Sequence, residues 1–167
     1  VGHGLVSQNG VLHLAAQATD ARPTRLRHTA LPFPTIREYL QETSARLVVV
    51  LDCCFSGRAV GTLGDDAGQV AELAEVRGGY VLTSAGRDEL ALAKPRERHT
   101  AFSGALIELL AEGHANWPEF MTLHDVYRYL ATVLPGRGAP RPRVRYDGNI
   151  GELVLARNPQ YRPAPHS

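Results

Sequence analysis

Leu47-Val48-Val49-Val50-Leu51 constrains this chain most, because five consecutive aliphatic residues, three of them β-branched, leave no polar face. Such a run reads as a strand covered on both sides, the kind found in the parallel sheets of α/β folds. It gives way at once to Asp52-Cys53-Cys54-Phe55-Ser56-Gly57. In open α/β sheets ligands bind in the crevice outside the carboxyl ends of strands, so the spacing predicts a thiol at the mouth of a buried strand. Gly2-His3-Gly4 sets an imidazole between two glycines, 51 positions before Cys54 (54 − 3 = 51), at a second expected strand end. A thiol and an imidazole are the two groups that nucleophilic thiol catalysis requires.

The rest of the 167 residues supports one α/β domain large enough to bury a core. Hydrophobic residues make up 44% and charged residues 21%, which is ordinary for a globular chain and unlike a disordered one. The pattern predicts strands over 11–15, 47–51, 80–84 and near 152–156. It predicts helices from an N-cap at Thr35 to about Thr43, over 69–76, over 102–112 and over 124–134. Residues 20–34, 58–68, 85–98 and 137–145 read as loops, the last basic and rich in proline. The alternation argues for a three-layer α/β/α sandwich with a mainly parallel sheet. The strand count is low for that architecture, so the first strands are expected to be missing before His3. From Asn158 the chain reads as a disordered tail or linker.

Composition narrows the partners. A net charge of +1 gives no reason to expect nucleic acid or a membrane surface. No apolar stretch approaches the ~20 residues of a membrane span, and no signal peptide is visible. The two cysteines are adjacent, a strained arrangement for pairing, so a reducing, cytoplasmic setting is expected. His13, His28, His99, His114, His124 and His166 show no metal-ligand spacing with the cysteines, which argues against zinc. Cys53, on the opposite face of the strand from Cys54, is expected in the core. The arginines at 137, 141, 143 and 145 and the pair Asp65-Asp66 are read as solvated loop.

The chemistry of the pair is specific. The thiolate attacks carbonyls, and a nearby imidazole helps to form it and then protonates the leaving amine. Backbone N–H groups of Gly4 and Cys54 are the expected donors to the tetrahedral oxyanion. Together, Gly2-His3-Gly4 and Asp52-Cys53-Cys54-Phe55-Ser56-Gly57 resemble the caspase–metacaspase superfamily of cysteine peptidases, in its bacterial, metacaspase-like form. The resemblance extends over most of residues 2–157: the 80–84 strand resembles the first strand of the small subunit, and Ala101-Phe102-Ser103 resembles the start of its phenylalanine-led helix. It implies a peptidase domain over 1–157, with a large-subunit-like part over about 1–68 and a small-subunit-like part over about 78–157, and a tail over 158–167.

The resemblance also implies roles. Cys54 becomes the nucleophile and His3 the catalytic histidine. The spacing agrees with the animal enzymes, but Asp52 and Phe55 stand where those have glutamine and arginine-type residues. A carboxylate two residues before the nucleophile lines the primary pocket and favours a cationic side chain, so cleavage after Arg or Lys is expected. Asp52 could alternatively cap a neighbouring loop. Asp88 is a second pocket residue. Related enzymes are often processed in the region flanked here by Arg58 and Arg77. Many metacaspases need calcium; here the carboxylates between the catalytic residues are few (Asp20, Glu38, Glu42), so no cofactor is expected. The expected partners are a protein or peptide substrate and the missing N-terminal segment or other domains of the same protein. The competing reading is a catalytically silent caspase-like module used for assembly.

Overall fold

The structure, a computed structural model, describes residues 2–56, 73–84 and 98–163. The chain begins with β1 (Gly2–Val6) and β2 (Leu12–Leu14), followed by helix α1 (Pro23–Thr29), the short β3 (Leu31–Pro32) and α2 (Phe33–Gln41). Then come β4 (Leu47–Leu51), β5 (Cys53–Ser56) and β6 (Gly79–Thr83). The C-terminal part holds α3 (Ala101–Glu112), β7 (Phe120–Thr122), α4 (Leu123–Gly136), β8 (Arg143–Tyr146), a 3-10 turn (Ile150–Glu152) and β9 (Val154–Arg157). Among the described residues no helix is long and apolar enough to cross a membrane.

The fold is mixed α/β, but the sheet is not mainly parallel. Of the six described strand pairings, β1–β5 and β4–β6 are parallel, while β1–β2, β2–β3, β6–β8 and β7–β9 are antiparallel. A short connection explains the first of these: five residues separate β1 from β2, and so short a link returns a strand antiparallel. Sheet order is β3-β2-β1-β5 in one sheet, β4-β6-β8 in a second, and β7-β9 in a third.

Asp52 is the joint between the first two sheets. The run 47–56 is one length of chain whose first half pairs with β6 and whose second half pairs with β1. Ser84 N–H donates to Leu51 O on one side (2.9 Å), and Gly2 N–H donates to Asp52 O on the other (3.1 Å). The alternating pleat therefore passes through Asp52 without a break.

Two buried clusters flank this joint. On one face Tyr80 and Leu82 of β6 meet Phe102, Ala105 and Leu109 of α3 and Val126, Leu130 and Leu134 of α4. Val81, from the alternate position of β6, joins Leu12, Phe33, Cys53, Ala74 and Val76. Every residue of β6 is buried. The covered strand of the fold is thus β6 and not the 47–51 run. β4 is half-buried with Val50 45% exposed, because among the described residues it pairs on one side only.

The strongest helix signals are borne out. Thr122 caps α4 in a full capping box: its oxygen accepts Asp125 N–H (3.2 Å), and Asp125 Oδ2 accepts Thr122 N–H (3.0 Å). Burial pushes the Asp125 carboxyl up, but the bonds from Thr122 and Arg128 outweigh it and hold it below its usual range. α3 ends at Gly113, whose φ of 75° suits glycine. Other expectations are corrected. The supposed loop over 20–34 contains α1, opened by Pro23 in its first turn, where a missing N–H costs nothing. α2 starts at Phe33 with Pro34 in its first turn, ahead of the expected cap at Thr35. The basic segment after α4 contains β8, whose Tyr146 stacks on Tyr80 at 5.4 Å. Tyr80 donates its hydroxyl to Leu123 O (3.1 Å), and burial pushes its phenol up. The expected loop over 58–68 lies outside the described residues, as do residues 85–97 of the loop expected over 85–98 and the first half of the helix expected over 69–76.

Candidate active site

β1 and β5 bring the two expected catalytic residues together. Their parallel register pairs Gly2 with Cys53, His3 with Cys54, Gly4 with Phe55 and Leu5 with Ser56. Neighbouring strands lie about 4.8 Å apart, so the His3 and Cys54 backbones are immediate neighbours although 51 positions separate them in the chain (54 − 3 = 51). β1 is fixed from its other side as well: Ala15 N–H donates to His3 O (2.8 Å). His3 is exposed. Cys53 is 6% exposed and belongs to the cluster with Phe33 and Val81. The register of β1 on β5 thus sets the His3 backbone beside that of Cys54, one position beyond the buried Cys53.

Both positions lie inside their strands and not at strand ends as expected. β1 runs on to Val6 and β5 to Ser56, because β1 is paired on both sides, with β2 and with β5. Gly4 is buried in the ladder between Leu14 and Phe55. An interior strand commits its N–H groups to its neighbours, so Gly4 reaches an oxyanion only where the β1–β5 ladder parts beyond His3.

Asp52 lies two positions before Cys54 in the chain. It is half-buried, and its Oδ2 accepts hydrogen bonds from Thr100 Oγ1 and Ser103 Oγ at the start of α3. Thr100 is also the N-cap, accepting Ser103 N–H at 3.0 Å. Asp88 lies outside the described residues.

A third hydroxyl completes the joint. β6 ends at Thr83, and the next residue meets the Cys53 backbone with its side chain. Ser84 Oγ accepts Cys53 N–H (3.1 Å) and donates to Cys53 O (3.3 Å). One hydroxyl can do both. Ser84→Ala is therefore expected to cost about 1–2 kcal/mol in urea unfolding, since it removes two hydrogen bonds together. A loss near zero would show that the two groups find other partners.

Of the other histidines, His13 is 4% exposed with Nδ1 at 2.9 Å from Val11 O, and His28 accepts from Arg27 Nε (2.9 Å). His114 stacks on Trp117 (4.8 Å), and His124 meets Tyr146 edge-on (6.0 Å). Among the described residues no group of three or more His, Cys, Asp or Glu is arranged to hold a metal ion. Asp20, one of the few carboxylates weighed for calcium, is bound through both oxygens by Arg22, which lowers its carboxyl to about 2.

The sequence did not reveal Thr100, Ser103 or Ser84 as parts of this region. Thr100 carries an N-cap signal, a hydroxyl just before an apolar helix, but nothing local ties it to a carboxylate 48 positions away. Comparison with protein-family models, curated proteins and solved structures finds no match for this chain.

Proposed function

We propose that this protein is a cysteine endopeptidase of the caspase–metacaspase type, built on a three-layer α/β/α sandwich and cutting after Arg or Lys in a bacterial signalling or defence setting. The observation that carries this reading is the register of His3 with Cys54 on adjacent parallel strands. Cys54 sulfur, as thiolate, attacks the scissile carbonyl carbon. The C–N bond then breaks as His3 gives a proton to the departing amine, leaving a thioester. Water adds to that thioester with His3 taking its proton, and the carboxylate product leaves as the thiolate re-forms. Backbone N–H groups of Cys54 and Gly4 receive the oxyanion, which requires the ladder to open at Gly4. Asp52 faces the basic side chain before the cut, with Asp88 as a second acidic contact. The substrate is a protein or peptide.

One observation favours a second reading. The β1–β5 ladder continues through Gly4–Phe55 and Leu5–Ser56, closing the crevice that a substrate needs, as suits a silent assembly module. Fluorogenic peptides with Arg or Asp before the cut separate the two. The peptidase cleaves the Arg peptide and spares the Asp peptide; cleavage of neither by the full-length protein sinks the peptidase reading in favour of the silent module.

A further inference from the structure

The two hydroxyls on Asp52 make an asymmetric clamp. Thr100 Oγ1 and Ser103 Oγ both donate to Oδ2, and among the described residues Oδ1 carries no hydrogen bond. A carboxylate accepts through both oxygens, so half of its capacity stays open. The clamp is itself anchored, because Thr100 accepts the Ser103 N–H while donating to Asp52. Helix α3, buried through Phe102, Ala105 and Leu109, therefore fixes where the carboxylate sits. Along a strand two positions span about 7 Å, a separation that lets a side chain reach Asp52 while its own carbonyl meets Cys54.

We propose that Thr100 and Ser103 are positioning residues for the basic side chain of the substrate. They hold Asp52 by one oxygen and leave Oδ1 to receive a guanidinium or ammonium group. This rests on the peptidase reading and names what sets its preference for a cation. Holding the acceptor in place before the ligand arrives removes an ordering cost from binding.

The test compares peptides carrying Arg or its neutral isostere citrulline before the cut, on Ser103→Ala, Thr100→Val and the double variant. Ser103→Ala leaves the Thr100 cap in place, so it remains informative should Thr100→Val unfold. For the double variant KM toward the Arg peptide rises about tenfold, kcat stays within about twofold, and KM toward the citrulline peptide is unchanged. Thr100→Ser, which keeps the hydroxyl, restores the wild-type KM. An unchanged Arg-to-citrulline ratio beside a lowered melting temperature overturns the proposal and leaves the hydroxyls as struts. Agmatine binding, followed by calorimetry, reads the clamp without catalysis. Binding lost in Asp52→Asn and weakened about tenfold in the double variant supports the proposal even if no peptide is cut, in which case the peptidase reading alone fails. Absence of agmatine binding to the wild-type protein, or binding unaltered in the double variant, overturns it.

Discussion

Cys54→Ala is expected to abolish peptide cleavage, lowering kcat/KM by about 10³-fold or more, while the neighbouring Cys53→Ala protein still cuts. The two positions differ in what stands beside them. Cys53 is 6% exposed and packed with Phe33 and Val81, whereas Cys54 is the register partner of exposed His3. Removing Cys53's sulfur should cost stability, by about 1 kcal/mol, because it leaves a small cavity in the core. Removing His3 should do the reverse: unfolding stays within about 0.5 kcal/mol, as for most exposed positions. Cleavage by His3→Ala should fall about 10²–10⁴-fold, the usual worth of a general acid–base. A dyad acts as one unit, so the His3→Ala/Cys54→Ala double variant should be no slower than Cys54→Ala alone. Multiplying losses would mean two independent effects and no dyad. Alkylation followed by mass spectrometry gives a second readout, with Cys54 labelled and Cys53 protected. Cleavage that survives Cys54→Ala refutes the nucleophile.

What could be read from the sequence depended on how local each determinant was. α3 and α4 announce themselves, since Thr100, Thr122 and Gly113 carry their caps in the residues next to the helix. Asp52-Cys53-Cys54 and Gly2-His3-Gly4 were equally plain as motifs, and β1–β5 pairing sets their central residues side by side. The failures have one physical source. Whether β4 or β6 is the covered strand depends on how many neighbours each has, which five apolar residues cannot encode. β8 was hidden because Pro140 and Pro142 precede it and its two arginines alternate with Val144 and Tyr146, a half-buried strand pattern resembling a basic loop. α1 was hidden by the proline that starts it. The role of Asp52 as a joint needed α3 to fold back across 48 positions before its hydroxyls could meet the carboxylate.

Asn158→Asp is expected to be the most damaging single-atom change to stability, about 3–5 kcal/mol in urea unfolding at neutral pH, the scale of a buried charge without a partner. The residue was expected to open a tail, yet it is 2% exposed. Its Nδ2 donates toward His114 O (2.9 Å), Trp117 O (3.2 Å) and Pro118 O (3.2 Å). Its Oδ1 accepts His114 N–H (3.0 Å) and Gln160 N–H (3.1 Å). Aspartate keeps the acceptor but turns an oxygen toward three carbonyl oxygens. The charged form is thus disfavoured in the folded protein, and the new carboxyl titrates above its unfolded value. The sign follows: the penalty is small in acid, below the titration of the unfolded carboxyl, and grows as pH rises through the folded one. Asn158→Ala loses the same bonds without adding charge, so it should be milder than aspartate at neutral pH, with the gap closing in acid. A gap that does not change with pH would mean that the amide does not point its nitrogen at those carbonyls. Gly113 is tied to the same contact, since a Cβ there would lie 2.3 Å from Asn158 Oδ1 on a backbone with φ of 75°. Helix α3 is therefore held at its C-terminal end by Asn158 and at its N-terminal end by Asp52, and loosening the first should weaken the support of the second.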